Sequence, residues 1–198
     1  KQSRVNIRPQ YHFLEGARTP ITRMVLTNLD KDVGLPERIS LGLLTVLKVA
    51  TWNTCGYNEN TDTYIDARQH LWDIMCLTEL RGKHTAREGA RTIVSAPTTR
   101  NDDASGCMIK LSTRASKLLV LSGHSGSRIV YVKLRGTMTN LWVFCVYLPH
   151  GARSQLSHED TLRELERLCQ TLPQRRDLIM VKGDLNAKLA RNTTGCLL

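Results

Sequence analysis

Leu178-Ile179-Met180-Val181-Lys182-Gly183-Asp184-Leu185-Asn186 is the run on which the fold turns. Its first four residues read as a buried strand, and the apolar character ends abruptly at Gly183. Two polar groups, Asp184 and Asn186, follow the strand directly. Upstream, residues 157–171 read as a helix with Leu162, Leu165, Leu168 and Leu172 on one apolar stripe. Ser157 is placed to cap that helix, with Asp160 three positions on and Glu159–Arg163 as an i,i+4 pair. Pro173 stops it. A helix delivering a fully apolar strand predicts α/β layers rather than an all-β barrel.

The same strand-then-polar pattern recurs toward the N-terminus. Val46 to Asn53 alternates as a strand should and stops at Cys55-Gly56. A short helix over 62–72 precedes a second buried strand, Ile74-Met75-Cys76-Leu77, which ends at Glu79. Further strands are predicted near Ile93 and over 107–111, 118–121, 128–134 and 141–147. The last two form a hairpin through Gly136, and the final one ends at Tyr147. Residues 1–45 show no usable period, and prolines interrupt them, so they are read as a poorly ordered extension before a single domain over 46–198.

The full chain carries 28 Lys and Arg against 18 Asp and Glu, a net charge of +10, with 41% hydrophobic residues. That apolar share excludes a wholly disordered chain. No apolar run approaches the length of a membrane span, and Lys1 to Gln10 contain no signal-peptide core. The expected location is intracellular, nuclear or cytoplasmic, with no membrane partner. The first residue is Lys rather than Met, which reads as a fragment or a processed product. The six cysteines include no CxxC pair and are read as reduced thiols, with Cys76 and Cys145 in the core. Residues 81–135 hold 11 basic and 3 acidic groups, a local +8. Such a block favours polyanions, nucleic acid first. Arg81, Lys83 and Arg128 within it are the candidate phosphate contacts.

Asn53, Glu79, Tyr147 and the Asp184/Asn186 pair all follow apolar strands, and strand ends are where loops converge into sites. Two carboxylates and two carboxamides on one rim suit a hard cation such as Mg²⁺, which prefers oxygen ligands and keeps several waters.

In their order along the chain these segments resemble a known family. Thr51-Trp52-Asn53, Asp73 to Glu79, Val146-Tyr147-Leu148-Pro149 and Gly183-Asp184-Leu185-Asn186-Ala187 look like the successive motifs of the endonuclease/exonuclease/phosphatase superfamily. The branch they most resemble is the endonuclease domain of non-LTR retrotransposons, with the related craniofacial development protein 2-like proteins. Ser125-Gly126-Ser127-Arg128-Ile129 and Tyr147 to Gly151 fit that branch too. The resemblance covers about residues 46–198. It implies a four-layer α/β sandwich of two mixed β-sheets flanked by helices, and hydrolysis of phosphate esters with Mg²⁺ or Mn²⁺. By that resemblance Glu79 would ligate the metal with Asn53 beside it, and Tyr147 would approach the scissile phosphate. Asp184 would orient or deprotonate water, and Asn186 would steady phosphate and nucleophile.

Three departures accompany the match. Thr78 stands where the family usually has Gln, and Leu80 where Thr is frequent. The family's later Asp-His pair has no counterpart, because no Asp-His dipeptide occurs in the chain and Leu198 is its last residue. His150 and His158 do not match that motif. The expectation is therefore a Mg²⁺-dependent endonuclease domain of retrotransposon origin, C-terminally truncated, acting on DNA ahead of RNA. As written, it would bind DNA in a salt-sensitive way and cleave it poorly. The alternatives are a catalytically dead nucleic-acid-binding or scaffold remnant of the same fold, and a phosphatase or lipid phosphodiesterase of the superfamily.

Overall fold

The computed structural model describes residues 24–26, 37–40, 46–81, 93–95, 106–149 and 155–186. Among these residues, ten strands form two five-stranded mixed sheets. In chain order the strands are β1 (Met24–Leu26), β2 (Glu37–Ser40), β3 (Val46–Asn53), β4 (Ile74–Thr78), β5 (Ile93–Ser95), β6 (Cys107–Leu111), β7 (Leu119–Ser125), β8 (Ile129–Leu134), β9 (Leu141–Tyr147) and β10 (Leu178–Asp184). The helices are α1 (Glu59–Ala67), α2 (Thr113–Ser116) and α3 (Gln155–Thr171), with a 3₁₀ turn at Gln69–Leu71. One sheet runs β2-β3-β4-β6-β5 and the other β1-β10-β9-β8-β7.

Three apolar clusters hold the layers apart in the order α1, first sheet, second sheet, α3. Between the sheets lie Leu47, Val49, Ile74, Cys76, Ile109 and Leu111 from one side and Val130, Val132, Val143, Cys145 and Met180 from the other. Outside the second sheet, Trp142, Phe144, Val146, Ile179 and Val181 pack on Leu165, Leu168 and Cys169 of α3. Outside the first sheet, Ala50, Met75, Leu77 and Met108 pack on Ile65 of α1 and Trp72. Strands β4, β6 and β9 are thus buried on both faces, which is why they read as unbroken apolar runs. This is the four-layer sandwich of two mixed sheets that the motifs led us to expect.

Several details depart from the sequence reading. Two short strands lie within the span assigned to the extension. β1 pairs parallel with β10 and β2 pairs antiparallel with β3, and the other residues of 1–45 are outside the described set. Helix α3 begins at Gln155, so Ser157 lies inside its first turn rather than ahead of it. Leu162 is exposed and Thr161 takes the buried position, so the apolar stripe is narrower than the leucine spacing suggested. The Glu159–Arg163 pair forms at 3.2 Å. The helix expected over 62–72 starts earlier, at Glu59, where Asn58 accepts from the Thr61 amide as its cap.

The largest correction concerns charge. Lys110, counted in the basic block, is fully buried and ion-paired with Asp62 and Asp66 of α1. Arg114 pairs with Asp73, Lys133 with Asp177 at 3.2 Å, and Arg81 with Glu79 at 2.9 Å. Four cations of the +8 block are thus matched by carboxylates that lie outside it in sequence. The local field is correspondingly weaker than the linear count. Lys83 lies outside the described residues.

Three of the carboxylates make stability acid-sensitive. Burial raises the Asp73 pKa, but hydrogen bonds from Arg114, the Lys48 amide and Ser112 outweigh it and hold the carboxyl below its usual range. Asp177 is likewise held low, with burial opposed by the Gln174 amide, Trp142 Nε1, Asn140 and Lys133. Glu164 is brought to about 2 by hydrogen bonds from Arg167 and Ser125. A carboxyl depressed in the folded state stabilises above its unfolded pKa and loses that contribution as pH falls through the folded value. The urea midpoint should therefore hold steady from about pH 7 to pH 5 and fall progressively below about pH 4. Glu164 is on the surface and contributes least. Asp73→Asn should flatten part of the slope, and a midpoint unchanged between about pH 5 and pH 2 would contradict the assignment.

Candidate active site

Strand alternation builds the site. On β3, residues 47 and 49 face the other sheet, so Asn53 faces it too, at the strand's last position. On β10, Met180 faces inward, and Asp184, four residues on, shares its side. Tyr147 ends β9 in register with Asp184 and belongs to the inter-sheet cluster. All three stand at the same end of the core, where the apolar layer gives out.

Glu79 reaches this space by a different route. Alternation along β4 would send it to the outer face, opposite Cys76 and Thr78. Its backbone is instead left-handed, φ 54°, and its carboxylate turns back to Asn53. Among the described residues, the non-glycine positions with positive φ are Cys55, Glu79, Arg81 and Asn186. All four flank this rim. Asn tolerates the left-handed region, whereas Cys, Glu and Arg each give up about 1 kcal/mol or more there. Such conformations gather where side-chain placement is functional.

Asn53 is the hub. Its Nδ2 donates to Glu79 Oε1 at 2.8 Å and to Asp184 Oδ2 at 2.7 Å, using both amide protons. Its Oδ1 accepts from the Cys55 backbone amide at 3.1 Å, which fixes the orientation of the carboxamide. Asp184 Oδ1 accepts from the Asn186 backbone amide at 3.0 Å, and Asn186 Nδ2 donates to the Leu148 carbonyl at 2.6 Å. The Leu148 amide in turn donates to the Asp184 carbonyl at 2.9 Å, tying the ends of β9 and β10 together. Asn53, Glu79, Asp184 and Asn186 therefore occupy one rim, with the carboxylates on either side of a single amide nitrogen.

The other candidates sit as follows. Tyr147 is buried, and its backbone amide donates to the Arg128 carbonyl at 2.9 Å, placing Arg128 beside the end of β9. Arg81 Nη2 donates to Glu79 Oε2 at 2.9 Å. Sequence reading did not anticipate the placement of Cys55, whose exposed thiol lies 3.5 Å from Asn53 Oδ1. Its signal was the Cys55-Gly56 turn that ends β3. A cavity of about 360 Å³ lined by Lys48, His70, Asp73 and Arg114 opens at the opposite end of β4 and is separate from this rim.

The donor set fits a hard divalent ion. It offers two carboxylates on either side of the Asn53 amide nitrogen, and Mg²⁺ commonly takes only one or two protein carboxylates with water completing its shell. No group of three His, Cys, Asp or Glu placed to hold a metal occurs among the described residues.

Taken together, the two sheets and their flanking helices form the DNase I-like fold. Solved structures sharing it include the AP endonuclease LMAP of Leishmania major, at 16% identity and a TM-score of 0.53 over 71% of this chain and 55% of that one. The endonuclease domain of TRAS1, a telomere-specific non-LTR retrotransposon, matches at 15% identity and a TM-score of 0.50 over 71% and 60%. The 3′ phosphatase NExo from Neisseria, bound to a product DNA hairpin, matches at 15% identity and 0.53 over 73% and 59%. The chain thus spans between 55% and 60% of the length of these three. No protein-family model and no curated protein matches the sequence. No helix of the described residues is long and apolar enough to cross a membrane.

Proposed function

We propose that this chain carries part of a nuclease site that hydrolyses phosphodiester bonds in nucleic acid with Mg²⁺ or Mn²⁺, DNA ahead of RNA. The observation that carries the reading is the Glu79–Asn53–Asp184 triplet, held by bonds of 2.8 and 2.7 Å across 131 residues of sequence. The nuclease structures sharing the fold support it, and retrotransposon origin accords with the motif order.

Glu79 would hold the ion, with Asn53 beside it orienting the carboxylate. When bound, it would neutralise charge developing on phosphorus and lower the pKa of water. Asp184 is held by Asn53 on one oxygen and by the Asn186 amide on the other. That doubly anchored carboxylate is suited to accept a proton from a water aimed at phosphorus. Asn186 is fixed through Leu148, so it can meet a phosphate without reorganising. Tyr147, at the end of β9, bounds the same space. Arg81, Lys83 and Arg128 would meet the substrate's backbone.

The test pairs two measurements. Fluorescence anisotropy with duplex DNA should show affinity falling by at least about tenfold between 50 and 200 mM salt. Plasmid nicking should require Mg²⁺ and be stopped by EDTA, with a polypeptide extended past Leu198 run beside the 198-residue chain. Salt-sensitive binding with no nicking by either polypeptide would favour the remnant reading. Failure to bind DNA would overturn both.

A further inference from the structure

Both oxygens of Glu79 are engaged. Oε1 accepts from Asn53 at 2.8 Å and Oε2 accepts from Arg81 at 2.9 Å. The two residues are separated only by Leu80, which is fully buried and anchors the turn. Glu79 and Arg81 are both left-handed, φ 54° and 47°, and this doubled reversal lays the guanidinium back over the carboxylate. The Glu79 side chain is 14% exposed and that of Arg81 is 52% exposed. The carboxylate is therefore fixed, while its cation has open solvent to move into.

Resting on the reading of Glu79 as a metal ligand, we infer that Arg81 is the resident counter-cation of Glu79. It competes with the divalent ion for that carboxylate and is released toward a substrate phosphate when the ion binds. An arginine cannot shed its charge near neutral pH, so it can yield the oxygen only by swinging away. A nucleic-acid phosphate offers the same planar fork an alternative acceptor. Binding of the ion and binding of the phosphate then help each other, and the coupling must run equally in both directions.

The experiment reads Mn²⁺ affinity by the electron paramagnetic resonance of free Mn²⁺, with and without short duplex DNA. The proteins are the wild-type chain, Arg81→Gln, Arg81→Lys and Glu79→Gln, each checked for fold by circular dichroism. Arg81→Gln should bind Mn²⁺ about three- to fivefold tighter, as removal of one surface ion pair allows. Arg81→Lys keeps the charge and should stay near wild type. DNA should tighten Mn²⁺ binding to the wild-type chain and lose most of that effect in Arg81→Gln. If Glu79→Gln weakens binding while Arg81→Gln leaves it unchanged or weaker, the competition is overturned and Glu79 remains the ligand. If Glu79→Gln binds Mn²⁺ as the wild type does, the metal reading of the rim fails, and the role of Arg81 fails with it.

Discussion

Gly183→Ala should leave no stably folded protein. A Cβ on Gly183 would lie 1.9 Å from the carbonyl oxygen of Val146 and 2.8 Å from that residue's C and N. The obstacle is the backbone of β9, paired with β10 along seven register positions, so no side-chain rotation relieves it. The glycine's φ of 133° is also one that residues with a Cβ rarely adopt. Such a clash costs more than about 4 kcal/mol, a large share of the 5–15 kcal/mol that holds a typical domain together. Gly126→Ala is the control. It too has positive φ, 58°, but nothing lies within 4 Å of the added carbon. Its cost should stay near about 1 kcal/mol. Urea unfolding of the two variants checks the contrast, and equal midpoints would refute it.

Asp184→Ala should lower the nicking rate by about 10²–10⁴, the range associated with loss of a positioned general base. DNA affinity measured without metal should hold or rise, since a negative charge leaves the rim. Asp184→Asn preserves the shape of the side chain and can still accept from Asn53, yet it loses the base. It should therefore be as inactive as the alanine variant and more stable. Nicking within about threefold of wild type by either folded variant would remove Asp184 from the chemistry.

What was legible in the sequence follows from how each element is buried. Strands β6 and β9 were read to the residue because both faces pack, leaving continuous apolar runs. Asn53 and Asp184 stood out because each interrupts such a run at its end. The edge strands β1 and β2 were missed, since three and four residues carry no usable period. Lys110 was misjudged as a surface charge because its partners are supplied by α1. Asp62 and Asp66, spaced i,i+4, were the available sign that one helix face sought a cation. The meeting of Glu79 with Asn53 came from the motif resemblance, not from strand alternation, which predicts the opposite face. A reversal of φ at a residue other than glycine leaves no mark on composition.

The position of β10 also sets a schedule. It is the last described strand in the sequence, yet it lies between β1 and β9, and it supplies Asp184 to an amide anchored 131 residues earlier. A ribosome adds about 5–20 residues per second, so Asn53 and Glu79 are synthesised several seconds before Asp184 exists. Throughout that interval a nascent chain has its sheet beginnings and half of its rim, but no completed carboxylate pair. On the proposed reading, the rim that would hold ion and water is completed only after translation has passed Asp184.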